Sequence, residues 1–116
     1  MKTLSKVFIG GVVILIFFHA CKKNEPCPPK STQAANEIFL LNTVFTPAVK
    51  TIAKGTIIRW INKDPYAHTV TSSNNKFESG NLNEGQSFQF KFDTAGTYNY
   101  YCKYHAPNMA GKIIVN

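Results

Sequence analysis

Eight consecutive residues near the end of the chain, Cys102 to Met109, carry a thiol, an imidazole at His105 and a thioether at Met109. A second imidazole, His68, stands further upstream. Two imidazoles, one thiolate and one weak thioether are the donors of a mononuclear blue-copper site, and few other metals select that mixture. Zinc is the nearest rival, but its sites close with four firm N, S or O donors and gain little from a methionine sulfur. Taken singly, each residue has a plainer role, as a core thiol, a core filler or a loop histidine. The conjunction outweighs those roles. Without the first twenty residues the chain keeps two histidines and one methionine, and all three fall in this pattern.

Such donors must be brought together by rigid elements, and the chain from Glu37 onward supplies strands. Short apolar and aromatic runs are broken every eight to twelve residues by Gly, Pro, Asn or Asp, the rhythm of an all-β sandwich. Strands are expected over Ile38 to Phe45, ended by Pro47, then over Ala48 to Ile52 before the turn at Lys54-Gly55. Thr56 to Asn62 is strongly β-branched and contains Trp60, and His68 to Thr71 begins a further strand. Ser72 to Asn83 is a longer polar connection. In Ser87 to Phe92 the alternation puts Phe88, Phe90 and Phe92 on one face; in Tyr98 to Cys102 it points Tyr98, Tyr100 and Cys102 inward and Tyr101 outward. Asp93 to Tyr98 has the pattern of a tyrosine corner, and Lys112 to Asn116 supplies a last strand.

The whole chain, at 116 residues, has room for one domain with a modest core. Residues 1–20 have the pattern of an export signal, with Lys2 and Lys6 ahead of an apolar run from Val7 to Phe18 that is short for a membrane-spanning helix. The run ends at Ala20-Cys21, like a lipoprotein cleavage box in which Cys21 becomes lipidated. Residues 21–36 are polar and proline-bearing, a flexible tether holding Cys27, and residues 37–116 form the domain. Removing the leader leaves eleven basic against six acidic residues, a net charge of +5. The lysines are scattered and Arg59 is the sole arginine, which argues against nucleic acid and for a solvated surface that attracts acidic redox partners. With Cys21 assigned to lipid and Cys102 to metal, no disulfide framework remains.

Taken in order, Phe45-x-Pro47, Trp60-x-Asn62-x-Asp64, His68-Thr69-Val70, Phe77-x-Ser79-Gly80, Gly96-x-Tyr98, Tyr101-Cys102-x-x-His105 and Met109-x-Gly111 resemble the cupredoxins, above all the small bacterial plastocyanin-like and amicyanin-like members. The resemblance implies a Greek-key β-sandwich holding one type 1 copper by His68, Cys102, His105 and Met109, and a function in one-electron transfer rather than catalysis. Two departures stand out. Three residues, Ala106-Pro107-Asn108, intervene between His105 and Met109, where the best-known family loops have two or four. Plastocyanins follow the first histidine with an asparagine that braces the cysteine loop, whereas Thr69 stands here.

A copper carrier or storage protein is the alternative, but such proteins use methionine- or histidine-rich segments that this sequence lacks. A two-copper enzyme on the same fold needs more histidines than the mature chain has. The expected protein is therefore a monomeric electron carrier, exported and held by lipid on a bacterial membrane, facing the periplasm or the cell exterior. Replacing Cys21→Ala is expected to abolish acylation, and intact-mass measurement on the native and variant proteins checks it.

Overall fold

A computed structural model describes residues 33–116, so the expected leader, Cys21 and Cys27 lie outside the described residues. Eight strands follow in order: β1 (Glu37–Leu41), β2 (Val44–Thr46), β3 (Val49–Ile52), β4 (Thr56–Asn62), β5 (Thr71–Ser72), β6 (Ser87–Phe92), β7 (Gly96–Tyr101) and β8 (Ala110–Val115). They form two four-stranded sheets, β2-β1-β4-β6 and β3-β8-β7-β5. Each is mixed: β1 runs parallel to β4 and β3 parallel to β8, while the other neighbours are antiparallel. This is the Greek-key β-sandwich that the strand rhythm and the family resemblance imply.

The sandwich closes on Trp60. Period-two alternation in β4 sends Ile58 and Trp60 fully inward while Ile57 stays half exposed. From the facing sheet Tyr100 meets the indole edge-on at 5.5 Å, and Phe77 and Phe88 pack at 5.6 and 5.8 Å. Phe77 belongs to the polar connection between β5 and β6, and burying one such ring contributes about 1.5–3 kcal/mol, enough to draw that segment onto the core. The tyrosine corner is formed: Tyr98 Oη donates to the Thr94 carbonyl at 2.7 Å.

Two expected strands differ from those observed. The Ile38–Phe45 run is a hairpin, because Asn42 and Thr43 both turn to positive φ, 57° and 60°, the backbone of a tight two-residue turn. His68 to Thr71 joins the ladder only at Thr71; His68 instead forms an isolated bridge with Leu82, their amides exchanging hydrogen bonds of 3.0 and 2.8 Å. At the other end, Gln33 already docks on the domain by donating to the carbonyls of Glu37 and Thr46 at 2.9 and 2.6 Å.

Gly111 is fixed by packing rather than by backbone angle. It sits opposite Tyr100 across the β7–β8 pair, and the phenol ring lies over it so closely that a Cβ there would overlap Cζ, Cε2 and Oη. Burial pushes the Tyr100 phenol up to about 12, so the ring stays neutral. Gly111→Ala is expected to cost about 1–3 kcal/mol by overpacking, read as a lower denaturant midpoint at unchanged slope.

Candidate metal centre

Cys102 follows β7 directly and continues its inward alternation, which leaves the thiol completely buried. The loop after it is closed by three backbone hydrogen bonds. Cys102 N–H donates to the Met109 carbonyl at 3.0 Å, His105 N–H to the Cys102 carbonyl at 3.2 Å, and Met109 N–H to the His105 carbonyl at 3.1 Å. The Cys-x-x-His-x-x-x-Met spacing thus matches an i→i+3 turn followed by an i→i+4 turn, after which Ala110 enters β8. Met109 is fully buried at the base of this loop; His105 is half buried, and Tyr104, Ala106, Pro107 and Asn108 are exposed around it.

The donor atoms of His68, Cys102 and His105 all lie within 4.8 Å of one another. His68 Nδ1 is 3.7 Å and His105 Nδ1 3.6 Å from Cys102 Sγ. Donors that share one ion at bond lengths of about 2.0–2.3 Å stand about 3.5 Å apart, so the three fit a common metal. The structure brings these three side chains together, across 34 residues in the case of His68 and Cys102.

What sequence reasoning missed is how His68 is held. Its Nε2 lies 2.8 Å from Asp64 Oδ2, both groups are buried, and an ionised carboxylate can only accept. The proton is therefore on Nε2 and the Nδ1 lone pair is turned toward Cys102, the tautomer a metal ligand needs. Asp64 also accepts the amides of Asn42 at 2.8 Å and Thr43 at 3.0 Å. Burial alone would raise its pKa, but the Thr43 and Asn42 amides and the His68 ring together hold it below the ordinary value. Asn62, fully buried, positions this carboxylate: its Oδ1 accepts Asp64 N–H at 2.9 Å, while its Nδ2 donates to the Tyr66 and Leu82 carbonyls at 2.8 and 2.7 Å. Asp64 lies four residues before His68 on no regular element, so no periodicity flags the pair.

An all-β sandwich with a His-Cys-His cluster at the end of one sheet, buried except at His105, defines a blue-copper type of protein. The chain belongs to the cupredoxin-like domain family, whose sequence model matches residues 11–115. It is 34% identical over 84 residues to a plastocyanin of Scenedesmus fuscus, a match covering 62% of this chain and 86% of that protein. It is 33% identical over 76 residues to an amicyanin of Paracoccus versutus, covering 61% of this chain and 56% of that one. Among solved structures, a purple cupredoxin from Nitrosopumilus maritimus superposes with a TM-score of 0.62 at 31% identity, over 69% of this chain and 98% of that one. These relatives and the cluster together support a blue-copper electron-transfer protein.

Asp64→Ala removes the acceptor of three donors, the buried His68 ring and the part-buried Asn42 and Thr43 amides. It is expected to cost about 2 kcal/mol or more in the metal-free protein, since donors left unpaired cost about 1–3 kcal/mol each before any relaxation. Copper affinity should fall by about 10–100-fold. Chemical unfolding and competitive copper titration check the two halves.

Proposed function

We propose that this chain is an exported, lipid-anchored carrier of single electrons, with one type 1 copper held by His68, Cys102, His105 and Met109. The observation that carries the reading is the convergence of two imidazole Nδ1 atoms on one buried thiol at 3.6 and 3.7 Å. Bound copper would supply a one-electron Cu(II)/Cu(I) couple. The chain's own residues supply rigidity and access. His68 is clamped by Leu82 on its backbone and by Asp64 on its ring; Cys102 is fixed by strand and loop; Met109 is enclosed in the core. Side chains held in this way favour a site whose geometry changes little between two charge states.

Access is through His105, the one half-exposed member of the cluster. Ala106, Pro107 and Tyr104 surround it, a small uncharged patch on which a partner protein can seat without desolvating charge. Beside the loop runs a shallow, largely apolar groove of about 320 Å³, bordered by Tyr101, Ala106 and Pro107. The basic mature charge favours partners that are acidic where they dock. A carrier rather than an enzyme fits the residue inventory, because both histidines beyond the leader are already in the cluster and none is left for a second metal. The export signal and Cys21 place the domain outside the cytoplasm, facing periplasm or exterior, in this reading.

The decisive test is the visible spectrum and voltammetry of the copper-loaded domain. The wild type should show an intense thiolate-to-copper band that bleaches reversibly on reduction. Cys102→Ser should lose the band entirely; Met109→Gln should keep it and lower the potential, because a harder oxygen donor favours the oxidised ion. A coloured Cys102→Ser protein would refute the site.

A further inference from the structure

Thr69 is buried immediately after His68, and its hydroxyl is committed to no strand partner. Its Oγ1 accepts the amide N–H of Lys103 at 2.9 Å, while its own amide N–H is directed to Cys102 Sγ at 3.4 Å. Thr69 Oγ1 also lies 3.1 Å from Thr71 Oγ1, and Thr71 Oγ1 donates to Glu78 Oε1 at 3.0 Å. The second oxygen of Glu78 meets the Lys103 ammonium at 2.8 Å, which closes a ring of contacts around the peptide that follows Cys102.

The proton directions in this ring are determined by inventory. A hydroxyl has one proton and an ionised carboxylate has none to give. The Thr71 proton goes to Glu78, so the proton between the two hydroxyls belongs to Thr69, and Thr69 can offer Lys103 N–H only a lone pair. Hydrogen bonds in one direction polarise one another, and the carboxylate at the end strengthens each O–H toward it. We propose that Thr69, Thr71 and Glu78 form a directional hydroxyl relay that positions the Cys102 sulfur from the protein surface. Holding Lys103 N–H fixes the Cys102–Lys103 peptide plane, hence the backbone from which the thiol projects. Thr69 N–H meanwhile donates to the sulfur, and hydrogen bonding around that sulfur tunes the potential of such a site.

Thr69 and Thr71 are inside, at 2% and 6% exposure, whereas the Glu78 and Lys103 side chains are 43% and 53% exposed. An exposed ion pair of this kind contributes little stability by itself. Its consequence is positional: the outer end of the relay is open to salt and to a partner's charges, while the inner end touches the thiol. Thr71 and Glu78 contact no member of the metal cluster in this ring, so they are positioning residues acting through Thr69.

The inference rests on the copper reading for its effect on potential, but the relay is a property of the metal-free protein and is tested there first. Amide hydrogen exchange at Lys103 should be about tenfold faster in Thr69→Val, since the lost bond is worth about 1–1.5 kcal/mol, and should return to the native rate in Thr69→Ser. Thr71→Val and Glu78→Ala, which leave the Lys103 acceptor in place, should speed it several-fold. In the copper-loaded proteins all three disruptive variants should shift the thiolate-to-copper band and the potential in one common direction, with Thr69→Ser unshifted. Should Thr69→Val not fold, Thr71→Val and the surface variant Glu78→Ala give the same reading. Native exchange at Lys103 in both Thr71→Val and Glu78→Ala, or a Thr69→Ser protein that behaves like Thr69→Val, would overturn the relay. If the exchange results hold but the loaded wild type shows no thiolate band, the relay stands and the copper reading alone falls.

Discussion

A buried carboxylate is costly unless every charge-stabilising contact is made, and Asp64 makes three, to the amides of Asn42 and Thr43 and to the ring of His68. Much of the rest of the molecule follows from satisfying it. The β1–β2 turn adopts positive φ at two residues that are not glycine, a conformation that costs energy and that the two hydrogen bonds to Asp64 offset. The same carboxylate settles the tautomer of His68, so one group links the geometry of a hairpin to the chemistry of a ligand. Asn62 completes the arrangement by holding the Asp64 backbone and both neighbouring carbonyls with a single buried amide.

The aromatic core gives this polar cluster a rigid floor. Trp60 and Tyr100 come from opposite sheets, and the strands that carry them also carry Asn62 and lead into Cys102. Tyr100 in turn lies over Gly111, so β8 can approach β7 closely and return the chain at the base of the Cys102–Met109 loop. Core packing at close-packed density resists small displacements, which suits a site that must present the same donors before and after a change of charge. The loop needs no help from a regular element, since its own three backbone bonds fix the distance from Cys102 to Met109.

Around this rigid centre the polarity is graded. His68, Cys102 and Met109 are inside, His105 is at the boundary, and the residues beyond it are small or aromatic and uncharged. Charge is kept to the flank, where Glu78 and Lys103 pair over the hydroxyls of Thr71 and Thr69. The departure from asparagine at position 69 therefore does not leave the cysteine loop unbraced. Thr69 Oγ1 reaches the Lys103 amide directly, and a second hydroxyl and a carboxylate carry the contacts on toward the surface.

Local signals were fully legible in the sequence. Alternation identified the inward faces of β6 and β7, because side-chain direction in a strand depends only on residue parity. The candidate donors within Cys102 to Met109 were legible by residue type, and their spacing matches the hydrogen-bonded turns of the loop. What tertiary structure decided are relations between residues far apart in the chain. Asn42-Thr43 has no strong hairpin signature, and its turn exists because Asp64, about twenty residues on, accepts both amides. His68 was expected to be held by a strand, yet it is held by Leu82 and Asp64, neither of which any period connects to it. Thr69 gave no sign of its partners at Lys103 and Thr71, since a hydroxyl forms whatever hydrogen bonds the fold brings within reach. Sequence fixes which donors and acceptors are available and which way each strand faces; only folding decides which of them meet.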